Sequence, residues 1–266
     1  ALDADKLIFV EGNDDSDYIN HILETFNIQK KVVFWSFRGL DTLIKKIIHY
    51  KDFLEGIGST NSLWEKSVIV IDADFMTAEQ KAALEGAFAQ KLGTTTHIWS
   101  SYTFESTLIQ SEATLKSLIL DYCQDIEIEK EPDLIVQAIS LSKNKILEEK
   151  KNLLNDDTKY REKITRQIQN RAKSLAEDLD IKHIFSGGEV MYFQNFDLFS
   201  KNEFSLGRVD HLCTKEDTEA FLSHIFTTLS LPTPANNETF FSTLIKYCNQ
   251  STAPEEWMRL TAKLNI

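Results

Sequence analysis

Apolar residues fall into two regimes along this chain. Up to about residue 100, short β-branched runs alternate with stretches whose apolar positions recur every three or four residues. The runs are Leu7 to Val10, Lys31 to Phe37 (KVVFWSF), Val68 to Ile71 and Thr95 to Trp99, each of strand length. Between them, Tyr18, Ile19, Ile22, Leu23 and Phe26 share a helical spacing, as do Leu40, Leu43, Ile44, Ile47 and Ile48, and then Ala82, Leu84, Ala87 and Phe88. Asp14 or Asp15 is expected to cap the first helix, Arg38-Gly39 to turn into the second, and Thr77 to open the third, which ends near Gly93. A loop is expected at Gly56 to Asn61, and a fourth helix near Phe104. Strands and helices alternating at this spacing predict an α/β fold, a parallel sheet with right-handed crossovers.

After about residue 110 the pattern changes. Residues 111–123 and 131–180 are rich in Leu, Lys, Glu and Gln and read as helices, with breaks near Pro132 and at Asn155-Asp156-Asp157. Residues 181–213 hold a Gly187-Gly188 turn and an aromatic stretch from Val190 to Phe199, which fits a short strand or a helix. Short helices are expected at 215–229, 236–249 and 254–264, separated by prolines. The division expected is an α/β core over 1–110 and a mainly helical region over 111–266, although one large domain also suits the length.

Composition narrows the picture only a little. At 266 residues, 42% hydrophobic and 26% charged, the chain resembles an ordinary globular protein. No apolar run approaches the roughly 20 residues that span a bilayer, so no membrane partner is expected. Three dispersed cysteines without a CxxC argue against a zinc ribbon and for a reducing compartment, the cytoplasm by default. Ala1 opens the sequence almost directly on the first strand, so a natural N-terminal segment is expected to be missing. The net charge of −12 opposes nucleic-acid binding, yet residues 143–173 hold ten Lys or Arg against five acids, a local +5 that leaves −17 elsewhere. That segment reads either as a solvated helical face or as a surface for nucleic acid. Its candidate contacts are Lys143, Lys145, Lys150, Lys151, Lys163 and Arg166.

The chemistry concentrates where two strands end. Leu7 to Val10 runs into Glu11-Gly12, with Asp15 four residues beyond Glu11, and Val68 to Ile71 runs into Asp72-Ala73-Asp74. Gly12 is expected to permit a tight turn. Asp15, at a helix start, can swing back toward the strand end. Asp72 and Asp74 would point the same way in an extended backbone. Ligands of open α/β sheets gather at the carboxyl ends of the strands, and hard carboxylate oxygens suit Mg²⁺ or Mn²⁺, ions that activate water in phosphodiester cleavage. The six histidines show no ligand spacing; Asp210-His211 is the one tempting pair. Trp35, Trp64, Trp99 and Trp257 read as core or interface residues, with base stacking near Tyr192, Phe193 or Phe196 as a further option.

Glu11-Gly12-Asn13-Asp14-Asp15, followed some sixty residues on by Asp72-Ala73-Asp74, resembles the TOPRIM domain of topoisomerases, primases and OLD-family nucleases. The resemblance covers about residues 5–110, and Arg38-Gly39-Leu40 is similar to the turn after the second strand of that domain. It implies a Rossmann-like parallel sheet, Glu11 as general acid/base or metal ligand, and Asp72 and Asp74 as Mg²⁺ ligands. The segment His97 to Leu108 (HIWSSYTFESTL) is similar to the OLD-type stretch in which a glutamate opens a helix and joins the metal cluster, here Glu105. Where OLD enzymes carry a later Gly-Lys, this chain has Gly187-Gly188-Glu189, flanked by Lys182 and Lys201. No GxxxxGK[ST] loop is present, so the chain is similar to the stand-alone TOPRIM effector of PARIS anti-phage systems. That resemblance implies an endonuclease of tRNA, other RNA or DNA, a separate ABC-type ATPase partner, and a homodimer. The alternatives are a non-catalytic metal-binding or partner-docking module and a DNA-processing protein of primase or recombination type.

Overall fold

A computed structural model describes residues 4–56, 64–178, 188–235 and 238–264, with the side chains of 41, 47, 48, 52–56, 171–178 and 188–196 outside the description. Strands β1 (Lys6–Val10), β2 (Val32–Ser36), β3 (Ser67–Ile71) and β4 (Thr95–Ile98) form one parallel sheet in the order β2-β1-β3-β4. β1 pairs Val10 with Ser36 on one side and with Val70 on the other. The chain steps from β1 to β2, then crosses back to lay β3 on the opposite side of β1. The direction of winding reverses between β1 and β3, which makes a crevice at their carboxyl ends.

Strand alternation explains both faces. Leu7, Phe9, Ile69 and Ile71 pack with Leu40, Leu43 and Ile44 of α2 (Leu40–Gly56) and with Leu84, Phe88 and Leu92 of α3 (Ala78–Leu92). Ile8, Val10, Val68 and Val70 point the other way, onto Ile19, Ile22 and Leu23 of α1 (Asn13–Thr25). Both faces are covered, so the strands read as continuous apolar runs rather than as alternating ones. The ends of α3 match expectation: Thr77 accepts the Gln80 N–H, and Gly93 closes the helix at φ 69°.

Most of the helical half packs on the α1 face, whereas the helix over Thr158–Asp178 also packs against α2. This half contains α4 (Thr107–Gln110), α5 (Glu112–Asp125), α6 (Pro132–Asp156), α7 (Thr158–Asp178), α8 (Gly188–Ser205), a 3₁₀ turn at Val209–Leu212, α9 (Lys215–Thr228), α10 (Phe240–Ile245) and α11 (Glu255–Lys263). Leu118, Ile135, Phe221, Phe241 and Trp257 share one apolar cluster with Ile8 and Val68, so the core runs uninterrupted across residue 110. The expected break at 155–157 is real: the Asp157 carboxylate accepts the Tyr160 N–H at 3.0 Å and starts α7. The aromatic stretch from Val190 to Phe199 is helical, within α8. The helix expected over 236–249 is only Phe240–Ile245, because Thr239 caps it reciprocally with Ser242. Among the described residues no helix is long and apolar enough to cross a membrane. The Gly56–Asn61 loop, Gly187 and Lys182 lie wholly or largely outside the described residues, as do the side chains of Tyr192, Phe193 and Phe196.

Candidate metal centre

Glu11 sits where β1 ends, at the reversal of winding. Its carboxylate accepts the Leu40 N–H at 2.9 Å through Oε2 and the Asp72 N–H at 3.1 Å through Oε1. Leu40 is the first residue of α2, so the charge also faces the positive end of a 17-residue helix. The turn that aims Leu40 is Arg38-Gly39, with φ of 59° and 112°, and the Gly39 N–H returns to the Glu11 carbonyl at 2.9 Å. A Cβ on Gly39 would meet nothing within 4 Å, so glycine is required there for its backbone conformation rather than for space.

The residues around Glu11 depart from expectation in four details. Helix α1 starts at Asn13 with Gly12 as its N-cap, so neither Asp14 nor Asp15 caps it by position; Asp15 instead folds back and accepts the Gly12 N–H at 2.7 Å. Gly12 has φ −122°, a conformation open to any residue, so its freedom to turn is not used. Asp72 and Asp74 lie beyond the end of β3, and Asp74 is left-handed at φ 45°. Strand alternation therefore does not align them. Two tethers orient this loop instead: the Asp72 carboxylate accepts the Phe104 N–H at 3.3 Å, and the Asp74 N–H bonds the Tyr102 carbonyl at 3.0 Å. Glu105 is buried in the turn before α4 rather than opening that helix.

The loops bring these acids into one field. The Asp72 carboxyl stands well above the usual carboxylate range, through burial first and then the charges of Glu11, Asp15, Asp74 and Glu105. Burial also lifts Asp15 to about 6, opposed by the Gly12 N–H, with Glu105 and Asp14 raising it further and Lys215 lowering it. Five carboxylates this close repel one another, and a proton or a cation relieves the strain.

Two groups at this centre had no motif to announce them. Lys215 Nζ lies 2.7 Å from Asp14 Oδ2 and 3.4 Å from Glu105 Oε1. Burial works against its charge, but the bond to Asp14 and the field of Glu105 hold it above the ordinary lysine range. Burial, followed by the neighbouring charge of Glu105, raises the Tyr18 hydroxyl. Its ring stacks on Phe104 at 4.7 Å, and Lys215 Nζ sits 5.9 Å from its centroid. Lys215 is the first residue of α9. Its position depends on the cap before it, where the Asp217 carboxylate accepts the Thr214 N–H at 2.8 Å. Only the tertiary fold brings Lys215 to Asp14, 201 residues away in sequence.

The basic segment is divided by the fold. Lys150 is buried, ion-paired with Asp217 and 2.9 Å from the Tyr160 hydroxyl. It therefore anchors the α9 cap, which corrects its reading as a substrate contact. Lys151 pairs with Glu148 at 3.3 Å; Lys143 is half-buried, whereas Lys145, Lys163 and Arg166 are exposed. Lys201 pairs with Asp197 at 2.7 Å. His211 lies between Glu203 (2.7 Å) and Asp210 (3.4 Å), in a separate polar network that includes Arg208 and Ser101. Trp64, Trp99 and Trp257 are core residues, and Trp35 is at the exposed edge.

The donor set, carboxylate oxygens only, suits a hard divalent cation such as Mg²⁺ or Mn²⁺. Among the described residues, no three His, Cys, Asp or Glu side chains form a group already set to hold a metal ion. The contacts give the reason: Glu11 is turned onto two N–H groups, Asp15 onto Gly12, and Glu105 toward Lys215. Comparison of the chain with protein-family models, curated proteins and solved structures finds no match in any of the three.

Proposed function

We propose that this chain is a metal-dependent endonuclease of the TOPRIM type, similar to OLD-family nucleases, acting as a toxic effector in anti-phage defence under a separate ATPase partner. The observation that carries the catalytic part is the placement of Asp72. Its carboxyl sits at the winding reversal within the field of Glu11, Asp15, Asp74 and Glu105, and its ionisation is suppressed until positive charge arrives. The defence role and the ATPase partner rest on the sequence resemblance alone.

Asp72 and Asp74, with Asp15 and Glu105, would hold Mg²⁺ or Mn²⁺, with Glu11 as a further ligand or as acid/base. When bound, the ion supplies neutralising charge and a more acidic water. Glu11 holds the ends of β1 and β3 and the start of α2 in register. Lys215 places a fixed positive charge at the rim, where it can face the charge developing on a phosphoryl oxygen. Incubating the protein with labelled RNA and DNA, with and without Mn²⁺ or Mg²⁺, tests this reading. Cleavage that survives both Glu11→Ala and Asp72→Ala would overturn it.

A second reading, a metal-binding or docking module that cuts nothing, draws support from the engagement of both Glu11 oxygens by backbone N–H groups. Metal binding by calorimetry without cleavage of any nucleic acid would select it. Primer synthesis or preference for single strands without cleavage would select a DNA-processing role.

A further inference from the structure

The inner side of α7 rests on the loop that carries Asp74. Ile164 and Ile168 are buried against Phe75 and Tyr102; Phe75 directly follows Asp74, and the Tyr102 carbonyl accepts the Asp74 N–H. Because Ile164 and Ile168 mark the inner side, helical geometry sends Lys159, Lys163 and Arg166 to the opposite side, and all three are exposed. They follow one another at i, i+4 and i+7. The row spans about 10 Å at roughly 1.5 Å per residue, about three steps of a nucleic-acid strand at roughly 3.4 Å each.

The uncharged residues around this row are hydrogen-bonding ones. Two shallow surface depressions, of about 470 and 330 Å³, meet at Glu162 and Arg166. Thr165 and Gln169 line the first, Gln167 and Asn170 the second. Arg and Lys interleaved with Thr, Gln and Asn is the composition that contacts phosphate and sugar. Glu162 is the one acid lining these depressions; it lies one turn from Lys159 and from Arg166 and shares the second depression with Lys163.

The row also leads toward the acidic centre. Glu216 is held below the usual carboxylate range by its own backbone N–H and the Thr214 hydroxyl, with the charges of Lys163 and Lys215 adding to the effect. The charges of Lys163 and Lys215 thus act on one residue in the first turn of α9, and Lys215 lies 2.7 Å from Asp14 and 3.4 Å from Glu105.

We infer that the outer face of α7, carried by Lys159, Lys163 and Arg166, is the nucleic-acid docking surface, which tracks the phosphates of one strand and delivers it past Lys215 to the carboxylates. The inference rests on the nuclease reading for the site it serves, but its binding claim is independent of catalysis. It also resolves the charge paradox, since a chain of net charge −12 engages a polyanion through one local face.

The test is fluorescence anisotropy of a labelled single-stranded RNA and of a labelled DNA duplex, without divalent ions and over a range of salt. The variants are the triple Lys159→Glu, Lys163→Glu, Arg166→Glu, the triple to Gln, and the double Lys143→Glu, Lys145→Glu on α6. Both triples should weaken binding at least about tenfold and flatten the salt slope by about 2 to 3, roughly one per lost phosphate contact. The α6 double variant should bind like the wild type. Wild-type affinity and slope in the Gln triple, or no binding of either probe by the wild type at low salt, overturns the inference. Binding through α7 without any cleavage leaves it standing and removes the catalytic reading. Cleavage by the Gln triple at unchanged kcat/KM does the reverse.

Discussion

The Glu11 carboxylate accepts the Asp72 N–H at 3.1 Å, so one acidic side chain fixes the backbone of another across the gap between β1 and β3. The two residues differ in what they do for the fold. Glu11 satisfies two N–H groups, whereas Asp72 is a buried carboxyl whose ionisation its acidic neighbours oppose. Glu11→Ala should destabilise the metal-free protein by about 1–3 kcal/mol, the loss expected when donors to a charged acceptor are orphaned. Asp72→Asn should stabilise it, raising Tm by roughly 2–4 °C for each kcal/mol of repulsion removed. Both substitutions should abolish cleavage. Thermal melts in chelator beside the nuclease assay check the opposite signs.

The pH dependence follows from Asp15. Its carboxyl is raised to about 6 from an ordinary 3.8, so between these values the folded state keeps a proton that the unfolded state has released. Stability of the metal-free protein should therefore fall as pH rises through that window, and Asp72, shifted in the same direction, extends the fall. Asp15→Asn should flatten the curve. Mg²⁺ needs the ionised carboxylates, so it should add little near pH 4. At pH 7.5 it should add about 2.7 kcal/mol at a hundredfold excess over its dissociation constant. Melting curves at the two pH values, with and without metal, measure this.

Lys150 and Lys151 are adjacent in sequence and should respond oppositely. Lys150→Ala leaves Asp217 without its buried partner, and breaking such a pair costs about 3 kcal/mol. Lys151→Ala removes a surface pair and should cost no more than about 0.5 kcal/mol. Denaturant titration separates them. Lys150→Ala should also lower cleavage, because the Asp217 cap it anchors sets the start of α9 and hence Lys215.

Lys215→Ala should reduce kcat by about a hundredfold or more, as losing a donor to a developing oxyanion does. Lys215→Arg should restore part of the rate. A Lys215→Ala enzyme that cuts at the wild-type rate would leave this residue as only an internal counter-ion for Asp14 and Glu105.

What the sequence revealed was local. Four apolar runs of strand length, the acids that end two of them, and the break before Thr158 are properties of neighbouring residues, and each has its place in the fold. The tertiary arrangements were not readable in this way. Asp74 takes a left-handed backbone because Tyr102, on another loop, accepts its N–H. Lys150 looks like its exposed neighbours by composition and is buried because Asp217 of α9 and Tyr160 of α7 close over it. Lys215 lies beside no motif. A reading that searched for lysine near glycine would pass over it, since a helix cap rather than a glycine turn positions it.

The seating of α7 on Phe75 has a mechanical consequence. The metal loop is one wall of a joint whose other wall is a 21-residue helix, so tilting that helix must shift Phe75 and, one residue away, Asp74. A substitution that empties or overfills the seat at Ile164 or Ile168 would therefore reach the carboxylates through Phe75, without touching any of them.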